Sequence, residues 1–137
     1  MPWLWHFPAN LRPGDELLSP AGKPYDTLEG GNRHPSIRIG SLAEYGITYR
    51  QVELLENGYF DYPAIEKALN EKTKLVTIQR SKGYQTRPSY SVAEIGELIS
   101  FIKERRPDVI CMVDNCYGEF VERLEPSDVG ADMIVGS

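Results

Sequence analysis

Two hydrophobic periods alternate along the chain, one of about two residues and one of about 3.6. Glu16-Leu17-Leu18-Ser19 reads as a short strand, ended by Pro20 and Gly22. Residues 21–36 carry Pro24, Gly30, Gly31 and Pro35 and read as loop, with one short helix over 25–29. A further helical turn over 41–45 is stopped by Gly46. From Thr48 to Leu54 polar and apolar residues alternate, the pattern of a half-buried strand. Asp61-Tyr62-Pro63 then opens a helix: Asp61 can cap it, Pro63 suits a first turn, and Ile65, Ala68 and Leu69 share a face. Leu75 to Ile78 predicts the next strand. Ser91 and Glu94 form a capping box, followed by Val92, Ile95, Leu98, Ile99 and Ile102 at helical spacing. Arg105 and Arg106 complement the dipole of that helix, and Pro107 ends it. Val109 to Val113 is apolar on both faces, as a central strand is. Met133-Ile134-Val135 gives a last strand.

Strands alternating with helices, with crossovers of this length, predict an α/β fold: three layers, a mostly parallel sheet and helices on both faces. Residues 11–137 form one partial large domain in this reading, and residues 1–10 stand apart as an atypical N-terminal segment with neither period. The sequence stops where a strand would pass into a loop and helix. The expectation is therefore an internal piece of a larger domain.

Composition narrows the function classes. Of the 137 residues, 15 are Lys or Arg and 20 are Asp or Glu, a formal net charge of −5. That balance gives no footprint for a nucleic-acid backbone, and no nucleic-acid partner is expected. No apolar run approaches the roughly 20 residues that cross a bilayer, and the aromatic opening lacks a charged start and a cleavage site. The expected location is cytoplasmic, with no membrane partner. Cys111 and Cys116 are the only cysteines, on opposite faces of one strand and its exit, and they read as buried reduced thiols. His6 and His34 have no ligand-spaced partner, so no metal site is expected.

Ligands of open parallel sheets bind beyond the carboxyl ends of the strands. Those ends carry Ser19 to Tyr25, Gln79 to Tyr84, Asp114 to Tyr117, and Gly136-Ser137. A carboxylate, cations, tyrosines and a hydroxyl would converge there, suited to an anionic, ring-bearing ligand. Each also has a plainer use. Asp114 can cap the next segment, Arg80 and Lys82 can be solvated loop charges, and Tyr25 and Tyr84 can be packing aromatics. Glu119 and Glu122 read as an exposed face. No glycine-rich phosphate fingerprint follows a strand, which weakens the Rossmann and P-loop options.

Val113-Asp114-Asn115 on a buried strand, followed by Gly130-Ala131-Asp132-Met133-Ile134-Val135-Gly136-Ser137, resembles the large domain of fold-type I pyridoxal-phosphate (PLP) enzymes. The likeness is to the cystathionine/methionine γ-lyase group, and within it to the "aluminium resistance" family. Residues 11–20, 22–28 and 78–84 are similar to that subfamily in particular. The resemblance implies a partial PLP-transferase-like large domain and PLP as cofactor. It implies a sulfur-containing amino acid as substrate, β- or γ-elimination as the reaction, and homo-oligomers of the full-length family. Asp114 would pair with the pyridinium nitrogen, Tyr25 would stack on the ring, and Ser137 would donate to the phosphate. Arg80, Lys82 and Tyr84 would lie toward the ring hydroxyl or the substrate carboxylate. The family's Schiff-base lysine follows the phosphate-binding serine and has no counterpart up to Ser137, so no catalytic residue is assigned and the chain by itself is expected to be inactive. Two rivals stand beside this reading. One is an inactive truncated product of the same ancestry; the other is a small α/β module that recognises a phosphorylated ligand through Asp114 and Arg80.

Overall fold

The computed structural model describes residues 11–22, 45–83 and 85–136. Five strands run through them: β1 (Glu16–Ser19), β2 (Thr48–Gln51), β3 (Thr73–Gln79), β4 (Ile110–Asp114) and β5 (Met133–Val135). They form one sheet in the order β2-β1-β3-β4-β5, and every neighbouring pair is parallel. The expected fold class is the one found. The order also sets a topological switch point, because the chain leaves β1 toward β2 on one side and continues from β3 toward β4 and β5 on the other.

Local chemistry explains where the elements begin and stop. β1 and β5 have their expected bounds. β2 ends at Gln51, short of Leu54: the Val52 N–H still donates to Ser19 O at 2.9 Å, but the next bond comes from the Gly22 N–H, where β1 has already turned away from the strand path. Helix α1 (Tyr62–Ala68) starts where Asp61 Oδ1 accepts from the Ala64 N–H at 3.1 Å. Helix α2 (Val92–Arg105) starts on the expected capping box: Ser91 Oγ accepts from the Glu94 N–H at 3.1 Å, and Glu94 Oε2 accepts from the Ser91 N–H at 2.8 Å. A 3-10 turn, Pro126–Val129, precedes β5. The short helix expected over 25–29 lies outside the described residues, as does the one over 41–45 apart from Tyr45.

Two buried clusters flank the sheet. On one face Leu18, Val76, Ile78, Cys111 and Val113 meet Ile65 and Ala68 of α1 and Ile95, Leu98, Ile99 and Ile102 of α2. Each fully buried aliphatic side chain there contributes about 1.5–3 kcal/mol. On the other face Leu17, Leu75, Met112 and Val135 pack with Leu11 and Ile47. Helices were expected on both faces. Both described helices lie on the first, and among the described residues none lies on the second.

Candidate functional site

The carboxyl ends of β1, β3 and β4 bring together Ser19, Gln79 and Asp114. Gln79 and Asp114 are partners in the β3–β4 register. Alternation along β4 puts Cys111 and Val113 on the helix-covered face, so Asp114 emerges on the second face, beyond Met112. Its carboxylate is half-buried, and Oδ1 accepts from the Cys116 N–H at 3.1 Å. That bond is the capping role weighed from sequence. Asp114 therefore sits as expected, at a strand end beside the switch point, with its carboxylate oriented by the turn that follows.

Residue 115 returns to the helix-covered face, where Arg80 meets it. Arg80 was expected to reach toward a ligand; the structure turns it inward, to 4 % exposure. Its Nε donates to Tyr90 O at 3.1 Å and its Nη1 to Asn115 Oδ1 at 2.8 Å and Gly118 O at 2.9 Å. Nη2 donates to Glu122 Oε2 at 2.5 Å. A buried guanidinium needs such partners to offset its lost hydration. Glu122 also accepts from the Val92 N–H at 2.8 Å, so it joins the start of α2 to Arg80 while standing on the exposed face expected of it. Lys82, by contrast, is exposed; its N–H donates to Ser89 Oγ and its C=O accepts from the Gln85 N–H. Tyr25, Tyr84 and Ser137 lie outside the described residues.

Sequence reasoning missed three side chains here. Asn115 is buried, and its Nδ2 donates to Glu125 Oε2 at 2.8 Å. Glu125 Oε1 accepts from the Phe120 N–H at 2.9 Å, so Glu125 ties the far end of the turn. Arg87 is buried as well: its Nη2 donates to Gln79 O and Ser81 O, and its guanidinium lies 4.5 Å from the Tyr90 ring centre. Burial pushes the Arg87 pKa down and the Tyr90 pKa up. Asn115 follows Asp114 directly and could have drawn attention; nothing local marks Glu125 or Arg87.

The turn after β4 is strained. Tyr117 and Phe120 have φ of 66° and 60°, the left-handed region, which costs about 1–2 kcal/mol for each residue with a Cβ. Gly118 sits between them at a close approach, where an added Cβ would stand 2.6 Å from Asn115 Oδ1 and 2.7 Å from Arg80 Nη1. Burial raises the Cys116 thiol to about 11 and the Cys111 thiol to about 12, so both are protonated at neutral pH. Both are free; Cys111 is buried, as expected, whereas Cys116 is only half-buried. A cleft of about 540 Å³ opens by Ala21, Gly22 and Leu54. Among the described residues its rim carries Glu53, Glu56 and Arg87, and the Arg87 guanidinium is already hydrogen-bonded to Gln85 and Pro88. Among the described residues no His/Cys/Asp/Glu group could hold a metal, and no helix is long and apolar enough to cross a membrane.

Comparisons with known proteins place this geometry. The chain is 53% identical over 133 residues to the uncharacterised protein YnbB of Bacillus subtilis, covering 93% of this chain and 30% of that protein. It superposes with a TM-score of 0.86 and 54% identity on the crystal structure of a candidate cystathionine β-lyase involved in aluminium resistance from Listeria innocua, covering 93% of this chain and 31% of the other. A carbon–sulfur lyase involved in aluminium resistance from Clostridium novyi matches with a TM-score of 0.79 and 45% identity, over 91% of this chain and 30% of that one. The chain thus spans about a third of the length of these relatives. The sequence model of methionine γ-lyase matches residues 6–137, nearly the whole of it. The chain belongs to the methionine γ-lyase family.

Proposed function

We propose that this chain forms one wall of the cofactor site of a pyridoxal-phosphate-dependent lyase. The substrate is a sulfur-containing amino acid and the reaction a β- or γ-elimination. The observation that carries the reading is Asp114: a carboxylate at the carboxyl end of a central parallel strand, beside the switch point, with one oxygen fixed by the Cys116 N–H. The donor set fits the group. Asp114 presents an acceptor of the right charge for a protonated ring nitrogen, and a charge-assisted hydrogen bond there keeps that nitrogen protonated. Bound pyridoxal phosphate supplies an electron sink for the pair left at the substrate Cα.

The remaining residues take roles around that carboxylate. Tyr25 would stack on the ring and Ser137 would donate to the phosphate. Lys82 and Tyr84 face the substrate, with the exposed Lys82 ammonium as the cation that meets its carboxylate. Arg80 keeps its place in the site as a buried brace. Its burial also weakens the rival phosphate-recognising module, which needs a cation at that position. Cytoplasmic location and homo-oligomeric assembly belong to the same reading.

Titration of the chain with pyridoxal phosphate, followed by cofactor absorbance and fluorescence, tests the proposal. Asp114→Asn should weaken binding about 10-fold or more, the loss of one hydrogen bond to a charged group. An Asp114→Asn chain that binds as well as the parent, with the same ring spectrum, would remove the basis of the assignment.

A further inference from the structure

The hub of the network behind Asp114 is Asn115, at 2 % exposure. All its polar groups are partnered. Oδ1 accepts from Arg80 and Nδ2 donates to Glu125. Its N–H donates to Val135 O at 2.7 Å, and its C=O accepts from the Gly118 N–H at 2.8 Å. Arg80 is itself held by the end of β4, where its N–H donates to Asp114 O at 3.0 Å, by Tyr90 O, by the turn after β4 and, through Glu122, by the first residue of α2. The Arg80–Glu122 pair is a weak source of stability, since solvent screens the exposed Glu122 carboxylate. Fixed geometry is the better account of this one. The same turn holds Tyr117 and Phe120 in the left-handed region, which persists only where the surroundings over-determine the backbone. It also carries the Cys116 N–H that orients Asp114 Oδ1.

We infer that Arg80, Asn115 and Glu125 are positioning residues for Asp114. Arg80 grips Asn115 from the core and Glu125 grips it from the rim. The turn 115–118 cannot then roll about the end of β4, and the Asp114 carboxylate keeps one orientation toward a protonated ring nitrogen. The purpose of this arrangement rests on the role proposed for Asp114; its mechanics can be measured without any ligand.

Two readouts on the 137-residue chain test it. The first is amide exchange of the ligand-free chain. Arg80→Lys keeps the charge and loses the planar fork that bonds Asn115 and Gly118 together. Glu125→Ala removes the outer grip without stranding a buried charge, and Glu125→Gln restores an acceptor oxygen. The Cys116 and Gly118 amides should exchange about 10-fold faster in Arg80→Lys and Glu125→Ala, and within about 3-fold of the parent in Glu125→Gln. Core amides of β3 and α2 should be unchanged. The second readout is the chemical shift of ring-¹⁵N-labelled pyridoxal phosphate, which reports the protonated fraction of that nitrogen. It should move toward the neutral value in Arg80→Lys and Glu125→Ala, which a purely structural role would not cause. Unchanged Cys116 exchange and an unchanged shift in both variants, with Asp114→Asn still abolishing the protonated signal, would overturn positioning and leave the lyase reading standing. If Asp114→Asn keeps the protonated signal, that reading fails and this inference fails with it. Should Arg80→Lys not fold, the Glu125→Ala and Glu125→Gln pair carries the same comparison.

Discussion

Asp132 shows how single groups in this chain are tuned by what the backbone offers them. Its Oδ2 accepts from the Cys111 N–H at 2.8 Å and from the Lys103 ammonium at 2.6 Å, and Lys103 also donates to Val109 O. Partial burial pushes the carboxyl upward, but the Cys111 N–H and Lys103 together outweigh it, and the net position is below the ordinary value of 3.8. A depressed carboxyl binds its proton more weakly in the folded chain than in the unfolded one. Its contribution is therefore complete above 3.8 and is lost as the pH falls through the lower folded-state value. Asp132→Asn should cost about 1 kcal/mol at neutral pH, a figure kept small because solvent screens a part-exposed carboxylate. The variant should also show a shallower loss of stability on acidification. Urea denaturation of parent and variant at neutral pH and below 3.8 measures both, and parallel acid limbs would contradict the assignment.

At the scale of elements, α2 depends on two small residues as much as on its apolar stripe. A Cβ on Gly96 would lie 2.9 Å from Val129 Cβ in the 3-10 turn, and one on Gly130 would meet Ile99. Gly96→Ala sets two effects against each other: a gain in helix propensity of about 1 kcal/mol and an overpacking cost of about 1–3 kcal/mol. The contact is with a branched Cβ, which cannot swing away, so the second should win by about 1 kcal/mol. Val129→Gly in the same chain removes that Cβ and should recover the propensity gain, and a cycle of denaturation midpoints over the four proteins reads the coupling. The elements themselves were largely legible. Ser91 and Glu94, Asp61 and Pro107 act locally, and the structure has them where the pattern predicts; the run from Val109 to Val113 becomes β4 shifted by one residue, Ile110–Asp114. So was the placement of Asp114 at a strand end. The destination of Arg80 was not, because its partners Tyr90, Asn115, Gly118 and Glu122 lie 10 to 42 positions away and meet it only once β3, β4 and α2 are assembled. A cation after a strand looks the same in sequence whether it faces solvent or core.

Across the whole molecule the sheet has a polar network at each end, and the two have different work. At the amino end Glu16, 3 % exposed, accepts from Asn70 Nδ2 at 3.0 Å and Thr73 Oγ1 at 3.2 Å and lies 3.4 Å from Arg50 Nε. It locks β1 to β2 and to the start of β3. At the carboxyl end Arg80, Asn115 and Glu125 hold the turn that carries Asp114. In the β1–β3 register Glu16 pairs with Thr73, and in the β3–β4 register Asp114 pairs with Gln79. At about 3.3 Å per residue the networks are some 20 Å apart. Strands transmit little over that distance unless a packed element has two arrangements to switch between, and none of the described contacts joins the two networks. Glu16→Ala should therefore lower global stability by about 1–3 kcal/mol, the cost of stranding the buried Thr73 hydroxyl; Asn70 Nδ2 keeps its bond to Ala68 O. Combined with Glu125→Ala, the effects should sum to within about 0.5 kcal/mol. Urea denaturation of the two single variants and the double variant gives the coupling directly. A coupling well beyond that margin would mean that the amino end also sets the geometry at Asp114, and the network around Asn115 would then be one part of a sheet-wide brace.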